Sequence, residues 1–244
     1  MDRKICIFTQ TYNDNRFELF DYLPNDNLSI EFRNAFDLNI YSFHNSDREY
    51  INKVKGHEYF KKLKNVEFNE FYNITYPQTF KKILYQLLDW GYTYVGYSQD
   101  DVFTCGIHYN ITDLVDFIKT QDFKMLYLEA TGEELGNETI YYEKNDLKIY
   151  NTTTEDFFRR DGWAMDDGAY VGNIQYMLDN IFDENYFGLK SIHDGEGYLN
   201  RKFKTQKIER LTTNLKFYKR YNIIGPNSHW NGENDRKMLK HLFT

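Results

Sequence analysis

The sequence predicts an α/β chain with a mostly parallel central sheet and helices on both faces. Three observations carry this. Strand-like and helix-like runs alternate through the first two-thirds of the chain, the pattern of parallel strands joined by crossover helices. Pro77–Trp90 has a clear helical period, with Phe80, Ile83, Leu84, Leu87 and Leu88 on one stripe. No internal repeat, Gly/Ser linker or low-complexity block divides the 244 residues, so residues 1–244 read as one domain.

Lys4–Thr9 reads as a buried strand followed by a polar turn at Asn13–Asn15. Phe17–Leu23 reads as a short helix that stops before Pro24, because the residue ahead of a proline is pushed out of the helical region. Leu38–Phe43 and Val66–Phe71 are the next two strands. Pro77 suits the first turn of the long helix, and Gly91 stands where a helix stop is expected. Tyr92–Tyr97 is a strand that runs directly into Ser98-Gln99-Asp100-Asp101. Ile111–Lys119 is a helix with Ile111, Leu114, Val115 and Ile118 in register, and Lys124–Leu128 is a strand. Thr139–Tyr150 reads as a hairpin around Lys144-Asn145-Asp146. Asn173–Phe182 is a helix with Ile174, Met177, Leu178 and Ile181 aligned. Tyr198–Phe203 belongs to a shorter helix, and the tail from Ile208 is Lys/Arg-rich and less regular.

Composition narrows the function classes. The formal charge is 30 − 37 = −7, against what a nucleic-acid groove needs, so nucleic acid is excluded as an expected partner. A nucleotide is not excluded, since a metal or a few local cations can carry a diphosphate. Asn, Lys, Tyr and Phe are all abundant, so the 22 Tyr and 20 Phe reflect a compositional bias before they reflect a sugar-binding surface. Two cysteines build no disulfide framework, and Cys6, inside the apolar run Ile5–Phe8, reads as a buried thiol. The start of the chain lacks the apolar region of a signal peptide, and no stretch approaches the ~20 apolar residues of a membrane span. The expectation is a protein of the cytoplasm without a transmembrane segment. Nothing in the sequence points to an oligomeric state.

In parallel sheets, ligands bind beyond the carboxyl ends of the strands. That puts Thr9–Tyr12, His44–Asp47 and Gln99–Asp101 on one rim. Adjacent carboxylates at the end of a buried strand are costly unless something compensates them, and Mg²⁺ or Mn²⁺ does so with oxygen ligands. A polar turn with helix-capping acids explains the pair equally well from pattern alone.

Tyr94-Val95-Gly96-Tyr97-Ser98-Gln99-Asp100-Asp101-Val102-Phe103 resembles the strand and acidic motif of GT-A-fold glycosyltransferases, especially the inverting family-2-like group. Phe8-Thr9-Gln10-Thr11-Tyr12-Asn13 is similar to that group's first strand end, Pro-Thr-Tyr-Asn, with Gln10 in place of the proline. His44-Asn45-Ser46-Asp47 resembles its D-x-S-x-D loop, with His44 or Asn45 replacing the first acid. The motifs fall in order within residues 1–130. The resemblance implies a GT-A-like (Rossmann-like) fold and transfer of a sugar from a nucleotide-diphosphate sugar to the hydroxyl of a carbohydrate or glycan acceptor. It implies that Thr9, Tyr12 and Asp47 face the nucleotide and that Gln99 holds the sugar or phosphate. Asp101, then Asp100, would hold Mn²⁺ or Mg²⁺ against the diphosphate, with His229 a further metal ligand. On this reading residues 1–130 form the donor half, and residues 131–244 form the acceptor half and tail.

An inverting transfer needs a carboxylate base. The resemblance places it in Ser191–Arg201, on Glu196 or Asp194, although both acids also suit a helix N-terminus. Trp163, Asp166 and Asp167 are candidates for the acceptor, with Asp166-Asp167 alternatively the base or the metal pair, against the plainer reading of a turn beside an apolar anchor. Lys216, Lys219 and Arg220 could neutralise a leaving diphosphate, or simply be solvated. The His and acid spacings match no zinc motif. Two other readings stay open: a nucleotidyltransferase of sugar phosphates, which usually carries a Gly-rich basic loop that Thr9–Asn15 lacks, and a sugar- or nucleotide-binding module without turnover.

Overall fold

The computed structural model describes residues 3–11, 17, 20–21, 23–25, 27–99, 102–103, 111–131, 139–153, 170–208, 210–213 and 219–220. Four strands open the sheet: β1 (Ile5–Thr11), β2 (Leu38–His44), β3 (Val66–Phe71) and β4 (Tyr94–Gln99). They are parallel and lie in the order β3-β2-β1-β4. All seven residues of β1 are buried, as a strand covered on both faces requires. Beyond β4 the sheet continues through β9 (Tyr170–Asn173), β6 (Met125–Thr131), β10 (Arg210–Thr213), β8 (Leu147–Thr152) and β7 (Ile140–Lys144). β9 and β8 run against the other strands, so the sheet is mostly parallel with antiparallel inserts. A separate two-residue pairing joins β5 (Val102–Phe103) to β11 (Lys219–Arg220).

One face is covered by α1 (Asn27–Asn34), α2 (Arg48–Lys55) and α4 (Ile111–Thr120), the other by α3 (Tyr76–Asp89), α5 (Ile174–Asn180), α6 (Glu184–Phe187) and α7 (Ile192–Gln206). Alternation along the strands divides the core. Ile5 and Ile7 pack with Phe32, Phe36, Leu114 and Phe117, whereas Cys6 and Phe8 pack with Phe80, Ile83, Leu87 and Phe203. The second set contains the stripe that marked α3 in the sequence. Burying each such side chain contributes about 1.5–3 kcal/mol. α3 is closed at its start by a capping box between Thr75 and Gln78 and at its end by Gly91 at φ 78°.

Pro24 lies in a 3₁₀ turn at Leu23–Asn25, and residues 18, 19 and 22 of the helix expected before it lie outside the described residues. Two other expectations change. The helix expected around Tyr198–Phe203 starts six residues earlier, at Ile192, capped by Ser191. The tail expected to be irregular contributes β10, set between β6 and β8. The 139–150 hairpin forms as expected, turning at Asn145-Asp146 with Asn145 at φ 52°. Among the described residues no helix is long and apolar enough to cross a membrane. Cys6 is a buried free thiol, and burial pushes its pKa well up.

Candidate functional site

The register brings the segments on the expected rim together. Gln10 stands opposite both Ser42 and Gln99, and Thr11 opposite Phe43, so β1, β2 and β4 end side by side. β9 starts there too, with Tyr170 opposite Tyr97. β1 runs two residues beyond Thr9, which places Thr9 inside the fold and not at the strand end. It is fully buried, and its Oγ1 accepts a hydrogen bond of 3.0 Å from Nη1 of Arg33 on α1. Arg33 is itself buried, with its guanidinium 5.3 Å from the Tyr41 ring centre. The last described hydroxyl of β1, Thr11 Oγ1, lies 2.7 Å from Tyr50 Oη and so ties α2 to the strand end.

Asp47 is the N-cap residue of α2, but its carboxylate makes no capping bond and is exposed. It lines a cavity of about 330 Å³ with Phe17, Glu49, Tyr50 and Lys53. The Lys53 ammonium lies 3.8 Å from the Phe17 ring centre. A carboxylate and two aromatic rings at a sheet rim can hold hydroxyl groups and a flat ring.

His44, standing where the resemblance has an acid, is built into a network. The Asn73 backbone N–H donates to Asn45 Oδ1 (2.9 Å), which fixes the Asn45 amide. Asn45 Nδ2 then donates to Ile74 O and to His44 Nε2 (3.2 Å). Nε2 is therefore an acceptor, and Nδ1–H donates to Thr79 Oγ1 at 3.0 Å. Both nitrogens suit a neutral ring, and burial lowers the His44 pKa from its ordinary value. A lowered folded pKa means that the unfolded chain takes up the proton first. The His44 contribution is complete above about pH 6.5 and is lost as pH falls below it toward the folded value. A His44→Gln variant keeps the donor and acceptor without the titration. Its Tm should fall less than that of the wild type between pH 7.5 and 5; parallel curves would show that His44 is not held neutral.

In the second half, Asp194 is the third residue of α7. Its backbone N–H donates to Ser191 Oγ (3.1 Å), and its carboxylate accepts from the same hydroxyl (2.7 Å). Glu196 follows two residues later and is half-buried. α7 is pinned through Lys202, whose ammonium donates to Ile181 O (3.0 Å) and Asp183 Oδ2 (2.6 Å). Tyr12, Asp100, Asp101, Trp163, Asp166, Asp167, Lys216 and His229 lie outside the described residues, as does the Gln99 side chain, although the Gln99 backbone ends β4. Among the described residues there is no group of three or more His, Cys, Asp or Glu that could hold a metal. The pairing of Arg220 with Val102 and Lys219 with Phe103 has no signal in the local sequence, nor do the Arg33–Thr9 and Thr11–Tyr50 bonds.

No family model and no curated protein matches the chain. Solved structures do match. A fragment of S. aureus TarS, residues 1–349, is similar at TM-score 0.56 and 14% identity, over 97% of this chain and 69% of that one. The chain spans 42% of the longer TarS structure. The same fragment in complex with UDP-GlcNAc matches at TM-score 0.54 and 12% identity, over 98% of this chain and 71% of that one. A Bacillus anthracis protein described as a glucose-1-phosphate thymidylyltransferase matches at TM-score 0.51 and 8% identity, over 97% of this chain and 95% of that one. The chain thus has the GT-A-like fold that these nucleotide-sugar enzymes share.

Proposed function

We propose that the chain is a metal-dependent glycosyltransferase that moves a sugar from a nucleotide-diphosphate sugar to an acceptor hydroxyl with inversion. The observation that carries this reading is the rim, where β1, β2 and β4 end together and β4 leads directly into Asp100. The uncapped Asp47 carboxylate beside its cavity supports a nucleotide on that rim. The backbone pairing of Lys219–Arg220 with Val102–Phe103 supports a cationic tail beside the acidic turn, since Val102 follows Asp101 directly. The UDP-GlcNAc complex of TarS supports a donor of the same chemical class.

In this reading Asp101 and Asp100 hold Mn²⁺ or Mg²⁺, joined by His229, and the metal offsets charge on the departing diphosphate. Two hard carboxylates fit such an ion. Thr9 acts from beneath the rim through Arg33, while Tyr12 and Asp47 meet the nucleoside and Gln99 meets the sugar or phosphate. Glu196, or Asp194, takes the acceptor proton. Trp163, Asp166 and Asp167 meet the acceptor.

The test is a thermal-shift panel of nucleoside diphosphates with and without Mn²⁺. One nucleotide should stabilise the wild type only when metal is present. At 100 times Kd the gain is about 2.7 kcal/mol, and Asp101→Ala should lose all of it. Metal-independent stabilisation, or none across the panel, rules the site out. The likeness to the B. anthracis protein keeps one second reading, a sugar-phosphate nucleotidyltransferase. Release of pyrophosphate from a nucleoside triphosphate and a sugar 1-phosphate would select it, whereas release of nucleoside diphosphate selects the first.

A further inference from the structure

A row of polar side chains crosses the sheet one residue below the end of β1. Ser42 of β2 stands opposite Gln10 of β1 and opposite Asn69 of β3. In parallel strands, residues in register point to the same face, with neighbouring strands about 4.8 Å apart. Gln10 and Ser42 follow Phe8 and Ile40 by two residues each and so share their face, the one covered by α3. Gln10 is 2% exposed and Ser42 is fully buried. Both polar atoms of the Gln10 carboxamide, the Ser42 hydroxyl and the Asn69 amide nitrogen are buried without a hydrogen-bond partner.

Buried polar atoms without partners are rare, because each gives up its hydrogen bonds to water with nothing in return. Here they are adjacent and lie one residue below the rim, on the face opposite the Asp47 cavity. The row above them is already satisfied, since His44 is bonded to Thr79 and Asn45. The cover over this face near the rim is also polar: Thr79 and Tyr76, in the first turns of α3, meet the sheet through His44 and through the Tyr97 hydroxyl. Hydroxyl hydrogen bonds of this kind can be exchanged for others, unlike the apolar Phe80–Phe8 and Ile83 contacts farther along the helix.

We infer that the Gln10–Ser42–Asn69 row is a recognition floor for the nucleobase of the donor. This rests on the nucleotide-sugar reading above and deepens it. A carboxamide offers one acceptor and paired donors in a plane, which matches a base edge carrying a donor next to an acceptor. Ser42 adds a hydroxyl able to donate or accept on the next strand. The base edge enters from the rim as the first turn of α3 shifts, and the unmet hydrogen bonds of the free protein are met in the complex. A site of this kind rejects ligands that lack the matching polar edge. It also trades stability for binding, because the row destabilises the protein while empty of ligand.

The experiment compares wild type with Gln10→Met, which has nearly the same shape without the amide. Affinities for UDP, GDP, CDP and ADP, and for inorganic pyrophosphate, are measured by calorimetry in Mn²⁺, together with the Tm of the free protein. The wild type should prefer one base. Gln10→Met should lose roughly tenfold or more for that nucleotide, keep its affinity for pyrophosphate, and melt higher than the wild type without ligand. Ser42→Ala, which removes one oxygen, should shift each quantity in the same direction by less, and it serves if Gln10→Met does not fold. Unchanged nucleotide affinity in a folded Gln10→Met or Ser42→Ala variant overturns the inference and leaves the donor site standing. Equal losses for nucleotide and pyrophosphate also overturn it, since the row would then act on the whole site. A wild type that binds none of the diphosphates overturns the underlying reading as well.

Discussion

Glu196→Gln is expected to lower kcat by about 10²- to 10⁴-fold while leaving affinity for a nucleoside diphosphate unchanged. The proposed role is removal of the acceptor proton, which contributes in the transition state and not to donor binding. The two candidate acids differ in their surroundings. Asp194 closes the first turn of α7 in a reciprocal pair with Ser191, so its carboxylate already serves the helix end. Glu196 lies beyond that turn and is half-buried, which suits a base shielded from bulk water. Asp194→Asn keeps the polar cap and should cost under about 1 kcal/mol of stability, with a small effect on turnover. Steady-state rates with the donor selected by the thermal-shift panel, beside nucleotide titrations, separate the two. If turnover survives Glu196→Gln and collapses in Asp194→Asn, the base is Asp194. If neither falls, α7 does not carry the base.

The contrast between these acids was hidden in the sequence because the start of α7 was hidden. Gly195 and Gly197 each cost a helix about 1 kcal/mol against alanine, so the segment looks non-helical until Tyr198. The fold explains Gly195: a Cβ there would stand 3.1 Å from the Tyr186 ring. β1, β2, β3 and α3 were legible because apolar runs and a long stripe are local signals. α2 was not, since only Tyr50, Ile51 and Val54 are buried in an otherwise charged segment. β9 and β10 are four residues each, and one contains Gly172 while the other reads Arg-Leu-Thr-Thr. Their identity as strands comes from the neighbours that pair with them, β4 and β6 for one and β6 and β8 for the other. A Cβ at Gly172 would stand 2.5 Å from Met177 Sδ, so a side chain there would have to displace this buried methionine, a contact no one-dimensional pattern contains. At the site, the rim followed from strand order, and Gln10 was visible as the residue standing in place of a proline. Its unmet hydrogen bonds were not, because they depend on what α3 lays over it.

Phe203→Ala should be the most damaging of these changes to stability, costing about 3–5 kcal/mol. Phe203 is fully buried in the cluster that joins α3, α5 and α7 to the sheet. The Arg210 guanidinium lies 4.9 Å from its ring centre, so the ring also seats the first residue of β10. Removing it therefore opens a cavity beneath α7 and takes the aromatic face from a buried cation. Lys202, bonded to Ile181 O and Asp183, holds the same helix by polar contacts and should survive the change. Because α7 carries Glu196, a loosened helix should lower kcat without a matching loss in nucleotide binding on the far side of β4. Phe203→Leu, which refills most of the volume, should recover more than half of both losses in denaturant melts and rate assays. A Phe203→Ala protein that melts within 1 kcal/mol of wild type would mean that α7 is held by Lys202 and its cap alone, and a stable variant with normal turnover would separate α7 from the chemistry.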